Sequence, residues 1–143
     1  MFVRPLLFVC LMLFTSLFIQ TAQAKDSYTY ANLEDVRVSH LYLDLQVDFQ
    51  KQALIGFAEL TLDWQHKERN HITLDTRDLD IKKVYARRAD GQWRQVPFQL
   101  AARDAVLGSK LTITPGFQPK RIRVQYQSTP AASGLQWLSK AQT

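Results

Sequence analysis

Two long runs of strict alternation dominate the chain. In VRVSHLYLDLQVDF, Leu41, Leu43, Leu45, Val47 and Phe49 share one parity, and His40, Tyr42, Asp44, Gln46 and Asp48 share the other. Successive strand side chains point to opposite faces, so this period of two predicts a strand from Val36 to Phe49 with one buried face. A helix would scatter the same five apolar residues around its surface. After the polar break Gln50-Lys51-Gln52, ALIGFAELTLDW repeats the pattern with Leu54, Ala58, Leu60, Leu62 and Trp64. Gly56 interrupts that row and predicts a bulge or bend. The two runs predict a long antiparallel pair.

Shorter alternations follow. Ile72 and Leu74 alternate in HITLD, Leu79 and Ile81 in LDIKKV, Leu111 and Ile113 in KLTIT, and Ile122, Val124 and Tyr126 in RIRVQYQ. Asp90-Gly91 predicts a hairpin turn joining KKVYARR to QWRQVPFQL, because Gly accepts positive φ. Pro115-Gly116 predicts a second turn. Helical structure is confined to a short turn near Ala132–Leu138. The expected fold is all-β, an antiparallel sandwich of two packed sheets.

Residues 1–24, MFVRPLLFVCLMLFTSLFIQTAQA, break the pattern. Arg4 supplies a positive start, Leu6 to Ile19 is apolar apart from Thr15 and Ser16, and Ala22-Gln23-Ala24 is a small-x-small cleavage site. This order is that of a secretory signal peptide cut after Ala24, with residues 25–143 as the exported domain. The apolar run is shorter than the roughly 20 residues of a membrane span, so no membrane anchor is expected after cleavage. Val9 is too bulky for a lipoprotein site at Cys10, which reads as a small hydrophobe. The expected location is the periplasm or the medium.

The chain has 143 residues, 22% of them charged, and only 5 Gly, 5 Pro and one Cys. That excludes collagen, a disulfide-built miniprotein and a disordered tail. Cys10 is the single cysteine, so the exported part has no disulfide, thiol nucleophile or Cys-ligated zinc. Of the 18 Lys and Arg only Arg4 precedes Ala24, leaving a net charge of about +4. Lys82-Lys83, Arg87-Arg88 and Lys120-Arg121-x-Arg123 interleave with Ile, Val and Tyr, as on solvated strand faces. No nucleic-acid partner is expected.

Candidate chemistry is sparse. His40, His66 and His71 are the three histidines. His66 and His71 are five residues apart, whereas a helical zinc pair needs i and i+4. Asp75, Asp78 and Asp80 lack the oxygen spacing and glycine of a calcium loop and read as turn and edge carboxylates. Asp44 and Asp48 share a strand face with no sign of the cleft that acid–base work requires. Ser109, Ser128 and Ser133 lack a G-x-S-x-G elbow. No phosphate-binding glycine loop is present.

Five stretches together resemble one family: HLYLDLQVDF at 40–49, ALIGFAELTL at 53–62, ITLDTRDLDIKKV at 72–84, LGSKLTI at 107–113 and IRVQYQSTPAASGLQWLSKAQT at 122–143. They are similar to the amino-terminal β-domain of zinc aminopeptidases of the leukotriene-hydrolase type. Leu74 to Ile81 and Thr129 to Leu138 are the most specific parts. The resemblance implies a saddle-like β-sandwich, incomplete at its C-terminal end, normally followed by a thermolysin-like catalytic domain and a helical domain. In that family H-E-x-x-H and a further Glu hold zinc, which polarises water, G-x-M-E-N holds the peptide's amino end, and a Gln-x-Gln-Ala segment lines its site. None of these motifs occurs here, so no catalytic, substrate-binding or metal residue carries over. Gln136 belongs to L-Q-W-L and is no substrate anchor, and Trp137 reads as core or interdomain packing.

The expectation is therefore a non-catalytic scaffold whose partner is a catalytic domain in cis or in trans, with zinc a cofactor of the full-length family only. Apolar faces such as Leu41–Phe49 would be left uncovered and stability would be marginal. The alternative is a free-standing secreted β-sandwich that binds a peptide or protein by strand addition.

Overall fold

The computed structural model describes residues 28–142. The leader and its cleavage point at Ala24 lie outside them. Eight strands follow in order: β1 (Val36–Asp48), β2 (Ala53–Trp64), β3 (Ile72–Thr76), β4 (Leu79–Arg87), β5 (Trp93–Gln95), β6 (Phe98–Leu100), β7 (Ser109–Ile113) and β8 (Arg121–Ser128). They build two antiparallel sheets. The larger has the order β1-β2-β8-β4-β5, and the smaller has the order β3-β7-β6. This is the antiparallel all-β architecture that the alternation predicts.

Register fixes which residues face inward. Residues directly opposite in an antiparallel pair project to the same side. Leu60 opposes Ile122, which also opposes Ala86, and Ala58 opposes Val124, which also opposes Val84. These rows meet Ile72, Leu111 and Ile113 of the smaller sheet in one buried cluster. Fully burying a Val, Leu or Ile contributes about 1.5–3 kcal/mol relative to exposure, so this cluster holds the sheets together.

Local chemistry explains the connections. Arg88 N–H donates to the Gln92 carbonyl at 2.8 Å and Gly91 N–H to the Arg88 carbonyl at 3.0 Å. Gly91 has φ +83°, so the predicted turn is a three-residue hairpin loop closed by a left-handed glycine. QWRQVPFQL, expected as one arm of this hairpin, is split. Val96 N–H still donates to Val84 at 2.9 Å, but Pro97 has no N–H, and its carbonyl accepts from Thr114 of the other sheet side at 3.1 Å. The chain thus changes sheets at Val96-Pro97.

Two further expectations are corrected. The β1–β2 register runs unbroken past Gly56; the irregularities fall between Val38 and His40 in β1 and between Ile81 and Lys83 in β4. Gly56 serves close approach instead, since a Cβ there would lie 2.0 Å from the Asp44 carbonyl oxygen. Residues 132–138 form no helix: Ala132 and Leu135 close successive turns onto the Thr129 and Ala132 carbonyls, and a single 3-10 turn follows at Lys140–Gln142.

The expected buried face of β1 is only partly covered. The smaller sheet lies over one end of the larger, where Val36, Leu60 and Leu62 are buried. Toward the β1–β2 turn nothing among the described residues covers Leu41, Leu43 and Val47, which are 52, 49 and 47% exposed.

Gly108 is the most constrained turn position. It has φ +77°, and a Cβ there would lie 2.3 Å from the Thr76 carbonyl oxygen. Gly108→Ala is expected to cost about 1–3 kcal/mol, read as a lower midpoint in chemical unfolding. Gly134→Ala, where a Cβ meets nothing within 4 Å, is the matched control and should leave the midpoint in place.

Candidate functional site

The structure separates the residues that invited a chemical reading. His40 lies on the outer face of β1, in a shallow depression with Tyr42, Glu59, Thr61 and Arg121. His66 sits in the exposed 65–70 loop, where Gln118 Nε2 donates to the carbonyls of His66 at 2.7 Å and Arg69 at 2.6 Å. The His71 carbonyl accepts from Asn32 Nδ2 at 3.1 Å. Among the described residues no three His, Cys, Asp or Glu side chains gather closely enough to hold a metal ion. The residues present do not fit a zinc centre.

The three carboxylates of DTRDLD point to three tasks. Asp75 accepts from Thr29 Oγ1 and, at 2.7 Å, from the Tyr30 N–H, fastening the chain ahead of β1 to β3. Asp80 pairs with Lys82. Asp78 has φ +54° in the β3–β4 turn. Its carboxylate accepts from Arg103 Nε at 2.7 Å, and its carbonyl accepts from Thr129 N–H at 3.0 Å. Asp78 therefore fixes both the 101–108 loop and the segment that follows β8 from Thr129. The Arg103 guanidinium holds its carboxyl below the usual range. Asp104 is held down by the N–H groups of Leu107 and Val106, at 2.8 and 2.7 Å. Asp48 is lowered by Lys51, whose N–H it accepts at 2.9 Å, while Asp44 is exposed.

The serines are structural as well. Ser128 is buried and its Oγ accepts from Leu54 N–H at 2.9 Å, joining β2 to β8 beyond their ladder. Ser109 lies in β7 and its carbonyl accepts from Thr76 Oγ1 at 2.8 Å. Gln136 is exposed. Trp137 is half-buried and packs edge-on against Phe49, with ring centroids 6.0 Å apart.

One charged cluster escaped the sequence reading. Arg123 is held between two rings, 4.2 Å from the Phe57 centroid and 4.6 Å from the Trp93 centroid. Glu59 accepts from Arg123 Nη2 at 2.9 Å and from Arg121 Nη1 at 3.3 Å. Arg87 lies 5.9 Å from the far ring, and Tyr42 is 6.2 Å from Phe57. The result is a row of alternating rings and guanidinium groups across the outer face of the larger sheet. A cation between aromatic faces is worth more as it loses water. The row links β1, β2, β8, β5 and β4 across one face of the sheet.

These features belong to an antiparallel β-domain. The leucine aminopeptidase 2 of Kluyveromyces lactis is 33% identical over 120 residues, 82% of this chain. Leukotriene A-4 hydrolase of Xenopus laevis is 32% identical over 123 residues, again 82% of the chain. The structure of yeast LTA4 hydrolase with bestatin superposes on 87% of the chain with a TM-score of 0.74 and 31% identity. The chain is thus a homologue of the amino-terminal region of aminopeptidases of the leukotriene-hydrolase type. It spans 18–19% of the length of these relatives. No family model matches the chain.

Removing Glu59 would leave Arg123 between its rings without its carboxylate. Glu59→Ala is expected to destabilise by about 1–3 kcal/mol, against under about 0.5 for Asp44→Ala on the exposed face, both read by urea unfolding. Asp48, Asp78 and Asp104 have depressed folded values, so their contribution is present above the ordinary carboxylate value of 3.8 and is lost as pH falls through the folded values. Thermal midpoints recorded from pH 7 downward should fall on the acid side of 3.8, and Asp78→Asn should make that fall shallower.

Proposed function

We propose that this chain is the non-catalytic amino-terminal β-domain of an exported zinc aminopeptidase. Its task is to scaffold a peptide channel whose chemistry resides in a catalytic domain supplied in cis or in trans. One observation carries the reading: four-fifths of this chain aligns within less than one-fifth of the relatives' length. The sequence contains no H-E-x-x-H and no G-x-M-E-N, which supports assigning zinc and catalysis to another part of such an enzyme. Asp48, Asp75, Asp78, Asp80 and Asp104 are each engaged in a turn, a loop or an ion pair, which supports a structural reading of these carboxylates.

Export is the second element of the proposal. It rests on the order of positive start, apolar run and Ala22-Gln23-Ala24 in the first 24 residues. Among the described residues no helix is long and apolar enough to cross a membrane.

Two measurements test these elements separately. Purified chain given amino-acyl-amide substrates, with and without added zinc, is expected to show no turnover above buffer. Metal-dependent hydrolysis that co-purifies with the chain through every step refutes the scaffold role. In a Gram-negative host, mature protein starting at Lys25 is expected in the periplasmic fraction. Protein retained in the cytosol with residues 1–24 intact refutes export.

A further inference from the structure

The outer face of the larger sheet carries donor groups that the aromatic row does not use. Residues opposite one another in a ladder project to the same side. His40 opposes Thr61 and Thr61 opposes Arg121, so an imidazole, a hydroxyl and a guanidinium stand abreast on β1, β2 and β8. Tyr42, Glu59 and Arg123 form the neighbouring row in the same way. Neighbouring strands lie about 4.8 Å apart, so each row extends over about 10 Å. His40, Tyr42, Glu59, Thr61 and Arg121 line a shallow, open depression of about 300 Å³.

Most of these donors have no acceptor. Arg121 engages only Nη1, with Glu59 at 3.3 Å, and its side chain is 45% exposed. Among the described residues nothing accepts from the Tyr42 hydroxyl, the Thr61 hydroxyl or the His40 ring. Glu59 is the one carboxylate of the depression, and Arg123 shares it at 2.9 Å. Arg87 continues the first row past Arg121, since the preceding Ala86 opposes Ile122. Its Nε donates to the Gly91 carbonyl at 3.1 Å, and no ion pair holds it among the described residues. The flanking Asp44 and Asp63 lie outside the depression, Asp63 opposite Arg37. Three guanidinium groups thus stand against a single carboxylate, and charge complementarity calls for an anion.

We propose that this depression binds a carboxylate borne by an acidic peptide. The planar fork of Arg121 presents N–H groups that fit both oxygens of one carboxylate, and the Thr61 and Tyr42 hydroxyls supply further donors beside it. The exposed Tyr42 ring, 6.2 Å from Phe57, gives the methylenes of a glutamate an apolar wall. Glu59 forms the floor, 13% exposed. It limits the charge that can enter, because the second negative charge of a phosphate dianion would meet it at close range. Arg123 is a positioning residue. Caged between Phe57 and Trp93, with its Nε enclosed and lacking an acceptor, it anchors Glu59, which in turn aims Arg121. The site lies on the side of the sheet away from the core and stands independently of the scaffold reading.

The test follows the amide and arginine Nε–H resonances of the isotope-labelled chain by NMR. An acetylated glutamate oligomer, its glutamine counterpart and inorganic phosphate are titrated in separately. Saturable shifts at Arg121 Nε–H and at the amides of His40 and Thr61 are expected with the glutamate oligomer and not with the glutamine one. Arg121→Gln is expected to weaken binding about tenfold. Lys83→Gln removes the same charge from an exposed position on β4 and should change the affinity by less than about twofold. If Arg121→Gln loses the dispersed spectrum of the folded chain, His40→Ala at its exposed position gives the reading, with a weakening of about threefold. Binding unchanged in the folded variant overturns the proposal, as does the absence of saturable shifts with the glutamate oligomer. Shifts spread over lysines and arginines alike, with Lys83→Gln as damaging as Arg121→Gln, overturn it too. Inorganic phosphate that moves the same resonances with equal or higher affinity overturns the assignment to a carboxylate.

Discussion

The contact between the inner rows of β2, β8 and β4 and the apolar residues of β3 and β7 governs the rest of the molecule. Ile122, Val84, Ile72, Leu111 and Ile113 are all but inaccessible to water. Their burial sets the registers, because a slip of one residue would turn each inner row outward. The outer row of rings and guanidinium groups, the Asp78 anchor and the Asn32 and Asp75 contacts that fasten the chain ahead of β1 all depend on that alignment.

The smaller sheet covers only part of the larger. Where it covers, apolar side chains are buried and the ladders are closed by turns with defined chemistry. Where it does not, β1 presents leucines to solvent on one side and a free edge beyond.

The sequence made the strands legible because alternation is local. The β1–β2 pair, the Asp90-Gly91 turn and the packing of Leu111, Ile113, Ile122 and Val124 could all be read from it. Coverage is not local, so alternation in Leu41–Phe49 showed an apolar row without showing what lies over it. Pro97 stands between two stretches that each look like strand, and only the partner of its carbonyl shows that they belong to different sheets. The turn role of Asp78 was legible in its sequence. The Glu59–Arg123 cluster was not, since its members come from β2, β5 and β8 and meet only through strand order. Alternating Phe57 and Glu59 on β2 with Arg121 and Arg123 on β8 was the available signal, and it becomes readable once β8 is known to lie beside β2.

Strand order also bears on how the chain is made. Among the described residues β8 is the last strand in chain order, yet it lies in the middle of the larger sheet, between β2 and β4. Until residue 128 has left the ribosome, the β1–β2 and β4–β5 hairpins have nothing to join them, and two-stranded hairpins are marginal by themselves. The nascent polypeptide therefore stays loose over most of its length.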